Sequence, residues 1–499
     1  MSSSDMNKRK NEYERLLRKN EFLYAPIGKM NIYTNDVMAN VSTYVLAPSL
    51  TSFIIWTLRN AMNKKIKRLY FLARDGYLMY QIALLFCEKL HLPIECKYLS
   101  CSRYSLRIPA FHLDTEDALE YICRDSIEVN MTKILKRAAL TKEERAEVIR
   151  TLSIDISETE SIPYARLAVI RQALRENELF MKFMIAHSRQ AFPGLQGYLK
   201  QEGMLEEVDY ALVDSGWVGS MQKSFNQMLQ HLGRTKQVEG YYWGLYELPV
   251  GVDASAYHAY YFTPDSGLAE KVYFSNCLFE GIFSAPHGMT LWYERREESY
   301  WPCYGGVSES KRVFILQIEA FIREYAEALL ETSNCQTAEM LLGTSIHQYT
   351  EEVLGTSSVV LPDDLSKVSR SESNLKEKGQ GNRDDANRDT IRKLLRCFMG
   401  KPTKQEVEVF GNQLFADDVL EDDTQPIAAC FDGRELRAHH VLYKVLVMFG
   451  IRKEYLKESA WYEGSAVRAG RHVRYHLFQN VLYKYLLYIR KTYLWRKNG

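Results

Sequence analysis

The chain has 499 residues, 46% of them hydrophobic, and a formal net charge of +1 at pH 7. That length and apolar content can bury a large core in two or three folding units, which excludes disordered and fibrous classes. So small a net charge exerts no global pull on nucleic acid or acidic lipid. No nucleic-acid partner is expected, and any charged partner has to be met by a local patch.

The first twenty residues, MSSSDMNKRKNEYERLLRKN, read as a charged helix without the apolar core of a secretion signal. The nine cysteines are scattered and contain no Cys-x-x-Cys pair. They predict reduced thiols and a cytoplasmic protein rather than a disulfide framework or a zinc knuckle. The stretch Val41 to Trp56 falls short of about 18 apolar residues. It is also interrupted by Ser42, Thr43, Pro48, Ser49, Thr51 and Ser52, so a buried helix against a sheet is expected.

Past the basic run Lys64 to Arg68, the short apolar run Leu69 to Ala73 reads as a buried parallel strand ending in a turn. Helical spacing follows over Tyr77 to Leu90, then a second strand over Ile94 to Leu99, closed by Ser100-Cys101-Ser102-Arg103. This strand, helix, strand order predicts an α/β fold with a parallel sheet and ligands at the strands' carboxyl ends. From Thr115 to Gly203 the chain is rich in Leu, Glu, Arg, Lys and Ala, and predicts a helical insertion that caps the sheet. Strand character returns at Asp209 to Val213 and at Val238 to Tyr246.

The polar, Ser-, Asn- and Asp-rich stretch Thr356 to Arg388 predicts a mobile linker. The expected organisation is therefore an N-terminal helix within 1–30, an α/β domain over 31–305 with its insertion at about 113–205, and a helical extension over 306–355. A flexible linker over 356–390 and a smaller helical C-terminal domain over 391–499 with a basic end complete it.

Three strand ends carry candidate chemistry. Arg74-Asp75-Gly76 sets a guanidinium and a carboxylate ahead of a glycine that permits a sharp turn and close approach to a ligand. Such a pair suits phosphate binding with acid–base help, and equally suits pairing with helix termini. Ser100, Ser102 and Arg103 end the next strand; their hydroxyls fit a phosphate oxygen, or a helix N-cap. Asp214-Ser215-Gly216-Trp217-Val218-Gly219-Ser220 reads as an anion-binding nest or a metal-supporting carboxylate site, with Trp217 placed to stack on a sugar or base. Its glycines also fit close helix-to-strand packing.

Glu280 lies in an otherwise apolar stretch and must find a partner, which makes it a further substrate-site candidate. His287, in a Pro-Gly turn, and His439-His440, without metal spacing, read as structural. After Glu463 the chain has no acidic residue, while basic and aromatic residues interleave up to Lys497. That pattern fits a membrane-surface or partner-docking helix, and also a helix packed on the core with its charges solvated.

The segment Leu72-Ala73-Arg74-Asp75-Gly76-Tyr77-Leu78 resembles the first motif, Asp-x-Asp-Gly-x-Leu, of haloacid dehalogenase (HAD) superfamily phosphotransferases. Ser100 or Ser102 would stand for the second motif, and Asp214-Ser215 for the Gly-Asp-Ser of the last. Over residues 30 to 300 the chain resembles predicted HAD-type hydrolases encoded among bacterial surface-polysaccharide glycosyltransferases. In that register Ala73 replaces the nucleophilic aspartate, and a methyl group can neither form an aspartyl-phosphate nor ligate magnesium. A register shifted by two makes Asp75 the nucleophile but leaves Tyr77 as acid–base.

The resemblance implies a HAD-like Rossmannoid sheet acting on a phosphorylated or nucleotide-activated sugar without a covalent intermediate. Arg74 would hold the phosphate and Asp75 act as base, with Asp75 and Asp214 on the Mg2+ side. Gly76, Ser100, Ser102, Arg103, Ser215, Gly216, Trp217, Gly219, Ser220 and Glu280 would bind substrate. Two other readings stand beside it. One is a degenerate binding module that scaffolds glycosyltransferases at the inner face of the membrane. The other is a glycosyltransferase or phosphoribosyltransferase-like transferase.

Overall fold

Strand β1, Arg68–Leu72, is buried along its whole length. Its side chains alternate, Leu69 and Phe71 entering one apolar cluster and Tyr70 and Leu72 another. A strand covered on both faces belongs at the centre of a parallel sheet. The computed structural model bears this out and adds β2 (Glu95–Leu99), β3 (Tyr210–Trp217), β4 (Glu239–Leu245) and β5 (Tyr257–Phe262). The strand order is β2-β1-β3-β4-β5, and every pairing is parallel. The protein is therefore α/β, with a sheet consistent with a Rossmann-like fold. The structure describes residues 3–30, 36–124, 129–154, 156–160, 162–332, 368–415, 425–449, 451, 456 and 459–493.

The chain leaves β1 toward β2 on one side and later adds β3 on the other. The connections that follow β1 thus run apart, and a crevice opens at its carboxyl end, where open α/β sheets bind ligands. One face of the sheet is covered by helices Gly76–Lys89 and Glu309–Thr332 and by the continuous helix Val37–Asn63, which has a π-helical stretch at Ser42–Leu46. By length and composition Val37–Asn63 could cross a membrane, yet 94% of its apolar window is buried inside the protein. Two of its hydroxyls bond back one turn, Ser49 Oγ to Val45 O at 2.6 Å and Thr57 Oγ1 to Phe53 O at 2.9 Å.

Helices Glu178–Gln201 and Ser220–His231 cover the other face. Between β2 and β3 the helices from Thr115–Ile122 to the start of Glu178–Gln201 enclose a cluster of their own around Leu119, Ile134, Val148 and Phe180. The long helix runs from that cluster, through Phe180 and Met184, onto the sheet through Leu195 and Leu199. A hairpin follows the sheet, β6 (Thr290–Arg296) with β7 (Ser299–Tyr304), before Glu309–Thr332.

The C-terminal third departs from expectation. Residues 356–367 of the expected linker lie outside the described residues, but 368–390 belong to helix Val368–Gly400. That helix is docked. Asp384 pairs with Arg59, the Asn20 amide donates to Asn387 Oδ1 at 2.8 Å, and Arg388 reaches Tyr260 O at 3.2 Å. Polar residues here find partners on remote elements instead of water, which composition does not reveal. Nor do the residues from 391 onward keep a core apart: Ile391, Leu394, Phe398, Ile427 and Trp461 join the cluster that contains Phe71 and Trp243 of the sheet.

Candidate functional site

A cleft of about 570 Å3 opens at the carboxyl ends of β1, β2 and β3. Its walls come from the turn after β1 (Arg74, Asp75), the turn after β2 (Ser102, Arg103), and the end of β3 (Asp214 to Trp217). Glu280 enters from helix Asn276–Ile282, whose Leu278, Phe279 and Ile282 are anchored in the core while the glutamate turns to the cleft. The sheet order dictates this meeting, because β1 pairs with both β2 and β3.

The three carboxylates face one another's fields. Asp75 accepts a hydrogen bond from Ser215 Oγ, and Asp214 accepts from the backbone N–H groups of Ser215 and Gly216. Glu280 Oε1 accepts from Trp217 Nε1 at 2.5 Å. Burial, and then the charge of Asp214, push Asp75 up to about 7. Burial and Glu280 do the same to Asp214, and burial and Asp75 to Glu280. The set therefore holds protons near neutrality, and each ionisation makes the next one harder.

The guanidinium of Arg103 opposes the shift at all three carboxylates, and that of Arg74 at Asp75 and Glu280. Two more cations line the cleft: Arg124, just after helix Thr115–Ile122, and Lys311, in the first turn of Glu309–Thr332. No sequence pattern singled these two out. Among the described residues four cations thus surround three partly protonated carboxylates, a balance that favours an anionic ligand.

The expected site residues divide. Arg74, Asp75, Ser102, Arg103, Asp214, Ser215, Gly216, Trp217, Ser220 and Glu280 all line the cleft; Gly76, Ser100 and Gly219 do not. At Gly76 an added Cβ would sit 2.9 Å from the Phe71 carbonyl carbon, so this glycine lets the helix lie against β1 and approaches no ligand. Ser100 is buried; its N–H donates to Tyr198 Oη at 2.9 Å, and its Oγ bonds Tyr304 Oη at 2.7 Å. Gly219, at φ +69°, makes the left-handed turn into Ser220–His231, and a Cβ there would meet the Tyr257 ring at 2.7 Å.

Two lining residues are engaged by the protein itself, Ser102 in the N-cap role that was the alternative to phosphate binding. Ser102 caps helix Arg103–Arg107 by accepting from Ser105 N at 3.0 Å and donates to Thr290 O at 2.6 Å, so its hydroxyl is engaged by the protein. Trp217 is packed among Phe274, Phe279, Tyr246 and Phe262 rather than displayed for stacking, and its indole N–H serves Glu280. Gly216 is obligatory: at φ +108° a Cβ would fall 2.4 Å from Gly244 O.

His287 bonds Tyr98 Oη and Gly288 O, each at 2.8 Å, a structural role. Cys101 lines the cleft as a thiol, because burial and Asp214 push its pKa well above the usual range. Among the described residues the eight cysteines are free, and no three of His, Cys, Asp or Glu are grouped as metal donors. A scan against protein-family models matches none, and a comparison with curated proteins gives no significant match.

Proposed function

We propose that the cleft takes a phosphorylated or nucleotide-activated sugar, and that the protein is a HAD-like enzyme acting on it by direct transfer or hydrolysis, without an aspartyl-phosphate. The observation that carries this reading is the joining of four cations and three carboxylates with raised pKa values in one strand-end cleft. Arg74 and Arg103 bind phosphate oxygens. Asp75, with a pKa near the working pH, takes a proton from the attacking hydroxyl, and Ser215 fixes its carboxylate. Asp214 orients the reacting group. The HAD-like assignment is supported by the three motif segments, which lie at the carboxyl ends of β1, β2 and β3, with β1 between the other two in the sheet. The resemblance to surface-polysaccharide hydrolases supplies the sugar.

Asp75 and Asp214 are buried carboxylates with raised pKa values, Asp75 raised in part by the charge of Asp214, and form a donor pair that a divalent cation would relieve; magnesium commonly takes one or two carboxylates with water and phosphate. Asp75 and Asp214 would hold it, and the ion would offset charge on the phosphates. Ala73, which lines the cleft where HAD phosphatases carry their nucleophile, favours a second reading, a binding protein that scaffolds glycosyltransferases.

Product analysis over nucleotide sugars and sugar phosphates, with and without Mg2+, separates the two. Turnover that is abolished in a folded Asp75→Ala variant supports the enzyme. Turnover that survives Asp75→Ala removes the role assigned to Asp75. Saturable binding with no product from any substrate supports the scaffold.

A further inference from the structure

The last helix, Val473–Tyr493, packs through one side: His476, Gln479 and Asn480 are buried, and Tyr488 stacks on Tyr246. Its other side exposes Tyr475, Phe478 (64% exposed), Leu482, Leu486 and Ile489. At about 100° per residue these five fall within an arc of about 80°. Beside it lies Val441–Met448: Arg490 donates to Met448 O at 2.9 Å and stands over the Phe449 ring, and Val441 N bonds Gln479 at 3.3 Å. This second helix and the residues after it expose Leu442, Phe449 and Ile451 (69%). The C-terminal helix therefore packs on the protein through one side and exposes an apolar stripe on the other.

Charge decides what covers this face. Residues 464–499 contain no Asp or Glu. Arg468 and Lys484 are bonded within the protein, to Ala428 O and Glu463, but Arg471, His472 and Arg474 stand exposed at the start of the stripe. A second copy docked here would bring like charges together, whereas an anionic lipid surface satisfies apolar and basic groups at once. We propose that the paired helices Val441–Met448 and Val473–Tyr493 dock the protein on an anionic bilayer, the stripe entering the boundary between headgroups and acyl chains and Arg471 and Arg474 meeting the lipid phosphates. This docking is independent of the chemistry in the cleft.

The test is co-sedimentation of the full chain with phosphatidylcholine vesicles, plain or with about one third phosphatidylserine, at low and high salt. The expected result is a partition onto the anionic vesicles at least about tenfold above the neutral ones, falling with salt. A Phe478→Asp/Leu482→Asp variant and an Arg471→Glu/Arg474→Glu variant, each with an unchanged melting temperature, should both lose about tenfold or more. Protein that stays in the supernatant, or binds both vesicles equally, overturns the proposal. So does a dimeric mass in light scattering that the Phe478→Asp/Leu482→Asp variant converts to monomer, since a second copy then covers the face.

Discussion

Replacing Asp75 by asparagine should make the ligand-free protein more stable above neutral pH, although it removes the proposed base. A carboxyl moved from 3.8 to about 7 resists ionisation by about 4 kcal/mol. Because Asp75, Asp214 and Glu280 titrate together, neutralising one should recover roughly half of that, about 2 kcal/mol. Unfolding entropy is about 2.1 cal/mol/K per residue, or about 1 kcal/mol/K over the 499 residues if they melt as one unit. The expected gain is then about 2 °C in melting temperature.

The sign fixes where it appears. Between the unfolded pKa near 3.8 and the folded pKa near 7 the native state holds protons that the unfolded chain has lost, so wild-type stability falls as pH rises through this window and levels above it. The variant should melt with wild type near about pH 4 and above it near about pH 8. Calorimetry at both pH values reads the difference. A variant less stable at the higher pH, or equally displaced at both, would refute the claim that the carboxylates are held against their charge.

Arg103→Gln, at an exposed cleft cation, should weaken binding of a phosphorylated ligand about tenfold in titration calorimetry, with the melting temperature unchanged near about pH 4, where the carboxyls it faces are protonated. Trp217→Phe removes the hydrogen bond that draws the Glu280 pKa down, so the Glu280 carboxyl should titrate at higher pH, visible by carbon NMR or as a shifted pH profile. Ser102→Ala should cost about 1 kcal/mol through the lost cap and leave ligand affinity intact; a selective loss of affinity would restore its expected binding role. Gly216→Ala, forced into a left-handed backbone and against Gly244 O, should destabilise by about 2 kcal/mol or more in denaturant melts.

The sheet was legible because β1 to β4 announce themselves as short apolar runs closed by turn residues, and the cleft followed from the rule that parallel strands bind ligands at their carboxyl ends. Arg74, Asp75, Arg103 and Asp214 were read in this way, and Glu280 as a lone carboxylate in an apolar stretch. What failed required long-range partners. Ser100 looked like its neighbour Ser102, and only Tyr198 and Tyr304, brought in by the helical insertion and the hairpin, show that its polar groups are already bonded. Arg124 and Lys311 lie in polar surface stretches that nothing local distinguishes. Residues 383–390 read as linker because they are polar, yet Arg59, Asn20 and Tyr260 meet them across the fold.

The central claim is that the cleft recognises phosphate through Arg74 and Arg103. Thermal-shift titration of the wild type and of an Arg74→Met/Arg103→Met variant, with nucleoside-diphosphate sugars, sugar monophosphates and the matched uncharged sugars, tests it most directly. Phosphorylated members should raise the melting temperature of the wild type alone, and uncharged sugars should raise neither. Stabilisation that persists in the double variant, or is absent for every phosphorylated ligand, would contradict it.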